Sequence, residues 1–242
     1  GALSLTGNGT LSSNVSLITP SAVSLNGVIS GGFALTKSGT GTLTLSGNNT
    51  FTGGATLNAG SVYVGHDAAF GVGALAIVGS TVSSDSTVGR IIGNAYSFGG
   101  SVTLGNGTRN GLLTLSGAGS LTSNTTLNTA SDVVLSGVVS GAVSLTKTGT
   151  ATLTLSGANL FGGGAIMSAG SVYVGNDAAF GVGSLTMGGA VISSDSATAR
   201  TMANPFTVGG AKTLGNSTRN GLLTFTGTGA LTSATTLTVD SN

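Results

Sequence analysis

The sequence has very little charge. Only seven Lys and Arg side chains and six acidic side chains occur in 242 residues, and all six acids are Asp. In a typical soluble domain about a quarter of the residues are charged. With a formal net charge of +1, the chain has no basic patch for nucleic acid or for an anionic membrane surface. We therefore expect no nucleic-acid partner.

Residue types that carry chemistry are also scarce. There is no Cys, no Trp and a single His, so a zinc site of His and Cys ligands cannot form, and we expect no metal and no cofactor. The longest apolar stretches, such as residues 73–78, are far shorter than the roughly 20 residues of a membrane helix. This segment is therefore not expected to insert into a membrane. The absence of Cys fits both the cytosol and an exported chain, so it does not decide the compartment.

Glycine is what the sequence has in abundance, at 44 positions. It does not recur at every third residue with Pro, which excludes collagen. The hydrophobic fraction of 39% is too high for a disordered chain. Such a composition is typical of a repeat protein made of short strands and tight turns.

The decisive feature is an internal repeat, in which the pattern of positions 1–110 starts again at position 111. No insertion or deletion is needed to align the two copies. Matched pairs are Gly1 with Gly111, Lys37 with Lys147, Gly60 with Gly170, and Arg109 with Arg219. We therefore divide the chain into one unit at 1–110, a second at 111–220, and the start of a third at 221–242. So strict a period predicts one continuous packed array in which matched residues of the two units are structurally equivalent.

Within a unit the pattern is one of strands and turns. Thr42–Leu45 and Ser61–Val64 alternate polar and apolar residues, which indicates strands with one buried face. Gly, Asn and Asp end these runs, and no apolar 3.6-residue periodicity indicates a helix. Strict tandem copies argue against a sandwich, and two units cannot close a propeller. We predict an all-β parallel solenoid with coils of roughly 20 residues, and thus about five coils per unit.

This architecture predicts which side chains face inward. In the first unit they are Leu43, Leu45, Val62, Val64 and Phe70. Their copies in the second unit are Leu153, Leu155, Val172, Val174 and Phe180.

The residues of one segment carry a family likeness. The sequence ALTKSGTGTLTLSGNNTFTGG at 34–54, followed by NAGSV at 58–62, resembles the passenger-associated repeat of bacterial autotransporters. The likeness recurs over 145–171, and residues 67–75 and 177–185 look like the second half of the family's repeat. The resemblance implies a right-handed parallel β-helix, exposed on or released from the Gram-negative outer surface. The family's repeats carry no catalytic residues, so none is transferred to this chain.

Two arrangements of Asp side chains invite a catalytic interpretation. His66-Asp67 beside many serines suggests a Ser-His-Asp triad, but the second copy has Asn176 in place of the His, which favours a turn residue. Asp67 and Asp85 could form a carboxylate pair for glycoside chemistry, but each lies in a Gly- and Ser-rich corner. We predict no catalytic site, and no enzyme activity.

The remaining charged residues recur in both copies and therefore suggest structural partners. Asp85 precedes Arg90 by five residues, as Asp195 precedes Arg200, and we predict a local ion pair in each unit. For Lys37 and Arg109 and their copies, we expect a structural partner in preference to a ligand.

Three functions remain open. The first is an extracellular structural fibre, stalk or passenger segment that stacks end to end on further copies of itself. The second is an adhesin or binding module that contacts glycan, a host surface or ice through a flat face, which bears either the Thr pairs Thr42/Thr44 and Thr152/Thr154 or the tyrosines Tyr63 and Tyr173. A binding array of that kind requires its Thr pairs on adjacent coils. The third is a polysaccharide-acting enzyme, which the lack of an acid cluster disfavours. We expect an extracellular or cell-surface location, and the ligand, if any, stays unknown.

Overall fold

A computed structural model describes residues 1–240 as a parallel β-solenoid with no helix. Its strands are β1 Leu3–Leu5, β2 Gly9–Thr10, β3 Val15–Ile18, β4 Val23–Leu25, β5 Ile29–Ser30, β6 Leu35–Ser38, β7 Thr42–Leu45, β8 Ala55–Leu57, β9 Ser61–Val64, β10 Leu75–Ile77, β11 Thr81–Ser84, β12 Arg90–Ile92, β13 Tyr96–Phe98, β14 Ser101–Leu104, β15 Leu113–Leu115, β16 Gly119–Leu121, β17 Thr125–Thr129, β18 Val133–Leu135, β19 Val139–Ser140, β20 Leu145–Thr148, β21 Thr152–Leu155, β22 Ala165–Met167, β23 Ser171–Val174, β24 Leu185–Met187, β25 Val191–Ser194, β26 Arg200–Met202, β27 Phe206–Leu214, β28 Leu223–Phe225 and β29 Gly229–Val239. The prediction of an all-β solenoid is confirmed.

Each coil has three sides. Strand β1 pairs in parallel with β4, and β3 pairs with β6. We call each side of a coil a segment, whether it forms a strand or not, so each segment stacks on the third segment after it. Val23 is the register partner of Leu43, and Leu43 in turn is the register partner of Val62. A coil therefore takes about 20 residues, as solenoids of short strands commonly do. Neighbouring coils lie about 4.8 Å apart, the ordinary spacing of paired strands.

The strands form three continuous faces along the solenoid. Face one contains β1, β4, β7, β9, β11, β14, β17, β20, β22, β24 and the first parts of β27 and β29. Face two contains β2, β5, β12, β15, β18, β21, β23, β25 and the last parts of β27 and β29. Face three contains β3, β6, β8, β10, β13, β16, β19, β26 and β28.

The core lies inside the coils and is aliphatic and aromatic. The five side chains predicted to face inward, Leu43, Leu45, Val62, Val64 and Phe70, are all fully buried, as are their copies. Two places in each unit have no strand on one side of the coil, and a buried phenylalanine fills the space there, as Phe51 and Phe70 do. Backbone hydrogen bonds still tie these places to the adjacent coils, since Val72 N donates to Phe51 O at 3.0 Å.

The two units have the same order of segments, but one unit does not contain a whole number of coils. Each unit contains 14 strand segments and two segments without a strand, which makes 16 segments per unit; in unit two, β27 counts as two strand segments because its first and last parts lie on different faces. Because a coil uses three segments, one unit makes five and a third coils, where the sequence led us to expect about five. Equivalent strands of the two units therefore lie on different faces. Strand β7 lies on face one, whereas its copy β21 lies on face two.

Candidate functional site

Two successive long coils of each unit carry loops that project from the solenoid. The coils from Val82 to its register partner Leu104, and from Val102 to its register partner Leu127, are longer than the coil from Leu43 to Val62. The extra residues lie at 85–89 and 105–110, at the corner after face one. We call these two segments the loop pair. Its copy in unit two comprises residues 195–199 and 215–220.

The loop pair gathers much of the scarce charge of the unit. Arg90 Nη2 lies 3.1 Å from Asp85 Oδ1, and Arg200 Nη2 lies 3.0 Å from Asp195 Oδ1. Ser86 Oγ also donates to Asp85 Oδ1 at 3.0 Å. The five-residue spacing thus brings the ion-pair partners together in both units, at the base of the first loop.

In the second loop, an arginine side chain stacks its guanidinium group on a tyrosine ring of the solenoid. The Arg109 guanidinium carbon lies 4.1 Å from the centre of the Tyr63 ring, and Arg219 stacks on Tyr173 at the same distance. A guanidinium over an aromatic face is attracted by the electron density of the ring. Ser83, the register neighbour of Tyr63, is fully buried although it lies on the outer side of β11. The loop with Arg109 therefore covers this part of face one.

Sequence reasoning noted Tyr63 and Arg109 separately but missed that they meet. They are distant in the chain and two coils apart in the solenoid. The available signal was that both recur at equivalent positions in the second unit.

Short hydrogen bonds fix the shape of both loops. Asn106 Oδ1 accepts from the backbone and the hydroxyl of Thr108, at 2.9 and 2.8 Å. Ser84 Oγ donates to Val88 O at 2.6 Å. Gly111 N, directly after the second loop, donates to Ser86 O in the first loop at 3.1 Å, which ties the end of the second loop to the first. The loop pair is thus a single ordered projection.

The Ser-His-Asp arrangement considered above is a hydrogen-bonded turn. His66 Nδ1 accepts from Ala68 N at 3.0 Å, and in the second unit Asn176 Oδ1 accepts from Ala178 N at the same distance. Imidazole nitrogen and amide oxygen can therefore replace one another here. Asp67 Oδ1 accepts from Ile91 N on the next coil at 3.0 Å, so this carboxylate bonds to backbone across coils.

The two repeated lysines lie inside the solenoid. Lys37 and Lys147 are fully buried on the inner side of their strands. Lys147 Nζ donates to the carbonyl oxygens of Thr148, Gly149 and Ala169, at 2.9–3.0 Å. Burial lowers the pKa of Lys147 to about 8, and nearby Asp132 opposes this shift. Burial also lowers the pKa of Lys37. The partners of these lysines are corner carbonyls.

The Thr pairs of the two units do not form a ladder. Thr44 is flanked on adjacent coils by Ser24 and Tyr63, and Thr154 lies on another face. A regular ladder of small outward side chains exists instead on face three. Its members are Ser16, Thr36, Thr56, Ala76, Ser97, Ser120 and Ser140. A shallow groove follows part of this ladder, from Thr56 to Ser140.

Residues 1–240 contain no group of three or more metal-ligating His or Asp side chains. Over the same residues, no helix is long and apolar enough to cross a membrane.

Comparison with known proteins identifies one family. The model of the passenger-associated transport repeat matches residues 35–64 and 145–174, which run from β6 to β9 and from β20 to β23. A search of curated proteins gave no match, and neither did a search of solved structures. The matched segments contain the buried lysine and the stacked tyrosine of each unit, whereas the loop pair lies outside them. The chain therefore contains two segments that match the passenger-associated transport repeat, one in each unit, and both are built into one continuous parallel β-solenoid.

Proposed function

We propose that this chain is a structural shaft of an autotransporter-like surface protein, an extracellular stalk or passenger segment without enzymatic activity. The observation that carries the proposal is the presence of two transport repeats in an unbroken stack of coils. With 35 segments and three per coil, the described residues make nearly 12 coils, a rod about 55 Å long at the spacing of paired strands. A stalk that holds another part of a protein away from the cell surface requires an elongated rod of this kind.

The surface chemistry supports a location outside the cell membrane. Outward positions carry mainly Ser and Thr, whose hydroxyls interact with water without charge, and the transport repeat implies a secreted or surface location. The carboxylates of Asp67 and Asp85 are already engaged by a backbone amide and by Arg90, which supports a non-catalytic role.

An epitope inserted after Gly107 tests the location. This glycine lies in the second loop, and a side chain added there would meet no other atom within 4 Å. In the full-length protein on intact Gram-negative cells, we expect an antibody to reach the epitope without permeabilisation. A periplasmic protein with the same epitope is the control. Labelling that appears only in permeabilised cells would contradict the proposal.

We further propose that the end coils stack on equivalent repeat units. Leu3 and Leu5 on the first coil and Leu237 and Val239 on the last are half-exposed or more, at 50–65%. In the interior, equivalent side chains such as Leu113 and Leu115 are covered by the adjacent coil. Sedimentation velocity over a range of concentrations should show association that Leu5→Lys and Leu237→Lys reduce. A monomer at every concentration would contradict stacking between copies.

The ladder of small outward side chains on face three favours adhesion as a second candidate function. It places small side chains at one-coil spacing along seven coils, six of them with a hydroxyl and one, Ala76, without, as a regular array for a glycan or another ordered surface requires. Replacing Ser97 and Ser120 by Lys should abolish binding to a glycan array, whereas replacing outward Thr44 on face one should not. Equal binding by both variants would exclude this face.

A further inference from the structure

The junction between units shows how one unit follows another. The first strand of unit two, β15, stacks on β12, which is the third-last strand of unit one. The second junction repeats this arrangement, since β28 stacks on β26. Arg90 is paired with Leu113, and Arg200 is paired in the same way with Leu223. Both junctions therefore shift the pattern by one face in the same direction.

We infer that an array of these units is a screw in which each added unit turns its whole surface pattern by one face, a third of a turn. The advance per unit is five and a third coils, or about 26 Å at the spacing of paired strands. Three units contain 48 segments and therefore 16 complete coils. The original orientation returns only then, after three units and about 77 Å.

The cause is the number of segments, which the loops do not alter. A repeat of 15 or 18 segments would place every copy of a residue on the same face. This chain has 16 in both units, including the two strandless segments that bury phenylalanines. The extra residues at 85–89 and 105–110 lengthen a coil without adding a segment, so they leave the phase unchanged.

The screw determines the direction in which each loop pair projects from the shaft. In unit one the loop pair lies at the corner between faces one and two, and in unit two at the corner between faces two and three. Consecutive loop pairs therefore point in different directions around the shaft. A flat, rigid partner would meet only every third loop pair.

Distances between spin labels in the full chain test the phase, and the lack of native Cys makes the labelling selective. Thr36 and Ser140 lie in one column of face three, five register steps apart. Thr146, the sequence copy of Thr36, lies in the middle of a strand on face one. We expect about 24 Å between the labels of Thr36→Cys and Ser140→Cys, which project side by side from one face. The labels of Thr36→Cys and Thr146→Cys should be roughly 8 Å farther apart, because they project from different sides of a core about 10 Å thick.

A second set of labelled positions controls for a spin label that disturbs the structure at one site. Ser16 and Ser120 lie in the same column, also five steps apart, and Thr126 is the sequence copy of Ser16. The pair Ser16→Cys and Thr126→Cys should again give the longer distance. If both sequence-equivalent pairs gave distances equal to or shorter than their same-column pairs, the units would be in phase and the screw would be refuted.

Discussion

At the scale of single residues, buried polar side chains hold the coils together where the backbone turns. Asn49 is the clearest case besides the lysines. Its Oδ1 accepts from Ile29 N at 2.8 Å and its Nδ2 donates to Ala69 O at 2.6 Å, so one amide joins three successive coils. Asn159 makes the equivalent bonds in unit two. These contacts satisfy backbone groups that no strand pairs with at that side of the coil.

Replacing Asn49 with Ala should destabilise the solenoid by about 2–4 kcal/mol, because a buried donor and a buried acceptor both lose their partner. Urea unfolding followed by circular dichroism measures the change in the free energy of unfolding. Asn48→Ala is the matched control, since this neighbouring side chain is exposed. Equal effects of the two substitutions would show that the amide does not join the coils.

Replacing Lys147 with Met should lower the free energy of unfolding by about 1–3 kcal/mol, since three partly buried carbonyl oxygens lose their donor. Lys212→Met serves as the control, because the ammonium of Lys212 bonds only to its neighbour's carbonyl at an exposed site. Chemical denaturation of both variants provides the measurement. A Lys147→Met protein as stable as the parent chain would argue against this role.

At the scale of elements, the corners between strands limit what the sequence can contain. Gly60 has a φ of 73°, in the left-handed region, and a Cβ added there would lie 2.5 Å from Gly41 O and 2.6 Å from Gly39 O. Corners on adjacent coils therefore pack backbone against backbone. The buried ammonium of Lys37 lies in the same corner, bonded at 2.9 Å to the carbonyls of Gly39 and Ala59.

Gly60→Ala should therefore cost about 2–4 kcal/mol, from backbone strain at positive φ together with the close contacts to the adjacent coil. The melting temperature should fall accordingly. Gly107→Ala should leave it unchanged, because Gly107 has an ordinary φ and open space around it. Equal melting temperatures of the Gly60→Ala and Gly107→Ala chains would show that the corner can relax around the added Cβ.

At the scale of the whole molecule, titration of buried groups sets the response to pH. Lys147 has a folded-state pKa of about 8 against 10.5 in the unfolded chain. Between these values the unfolded chain binds more protons, so stability rises with pH. Burial raises the pKa of Tyr96 above its usual 10.0, so the stability associated with this group is lost as pH rises beyond 10.

We therefore expect the free energy of unfolding to increase between pH 8 and pH 10, by up to about 3 kcal/mol, and to stop rising above that. Urea unfolding at a series of pH values measures the profile. Lys147→Met should reduce the increase in the free energy of unfolding between pH 8 and pH 10. Tyr96→Phe, which introduces the residue found at the equivalent position 206, should reduce the decrease in this free energy above pH 10. A decrease in stability from pH 8 to pH 10 in the parent chain would contradict the expectation.

The sequence by itself determined the local and repetitive features. Alternating residues such as those of β7 and β9 specify strands with one buried face, because side chains alternate across a strand. The five-residue spacing of Asp85 and Arg90 placed two opposite charges at one short loop, and the residues at 34–62 carried the family likeness. These features depend on neighbours in the chain, or on the matching position in the other unit, and both can be read directly.

Only the tertiary structure decided how coils and units meet. The phase of one unit on the next depends on counting 16 segments, and two of them have no strand pattern and form segments only because adjacent coils hydrogen-bond to them. The stacking of Arg109 on Tyr63 and the carbonyl partners of Lys147 likewise join residues that are distant in the chain. Such contacts arise from the register between coils, which the summed lengths of strands and corners determine and which no local pattern encodes.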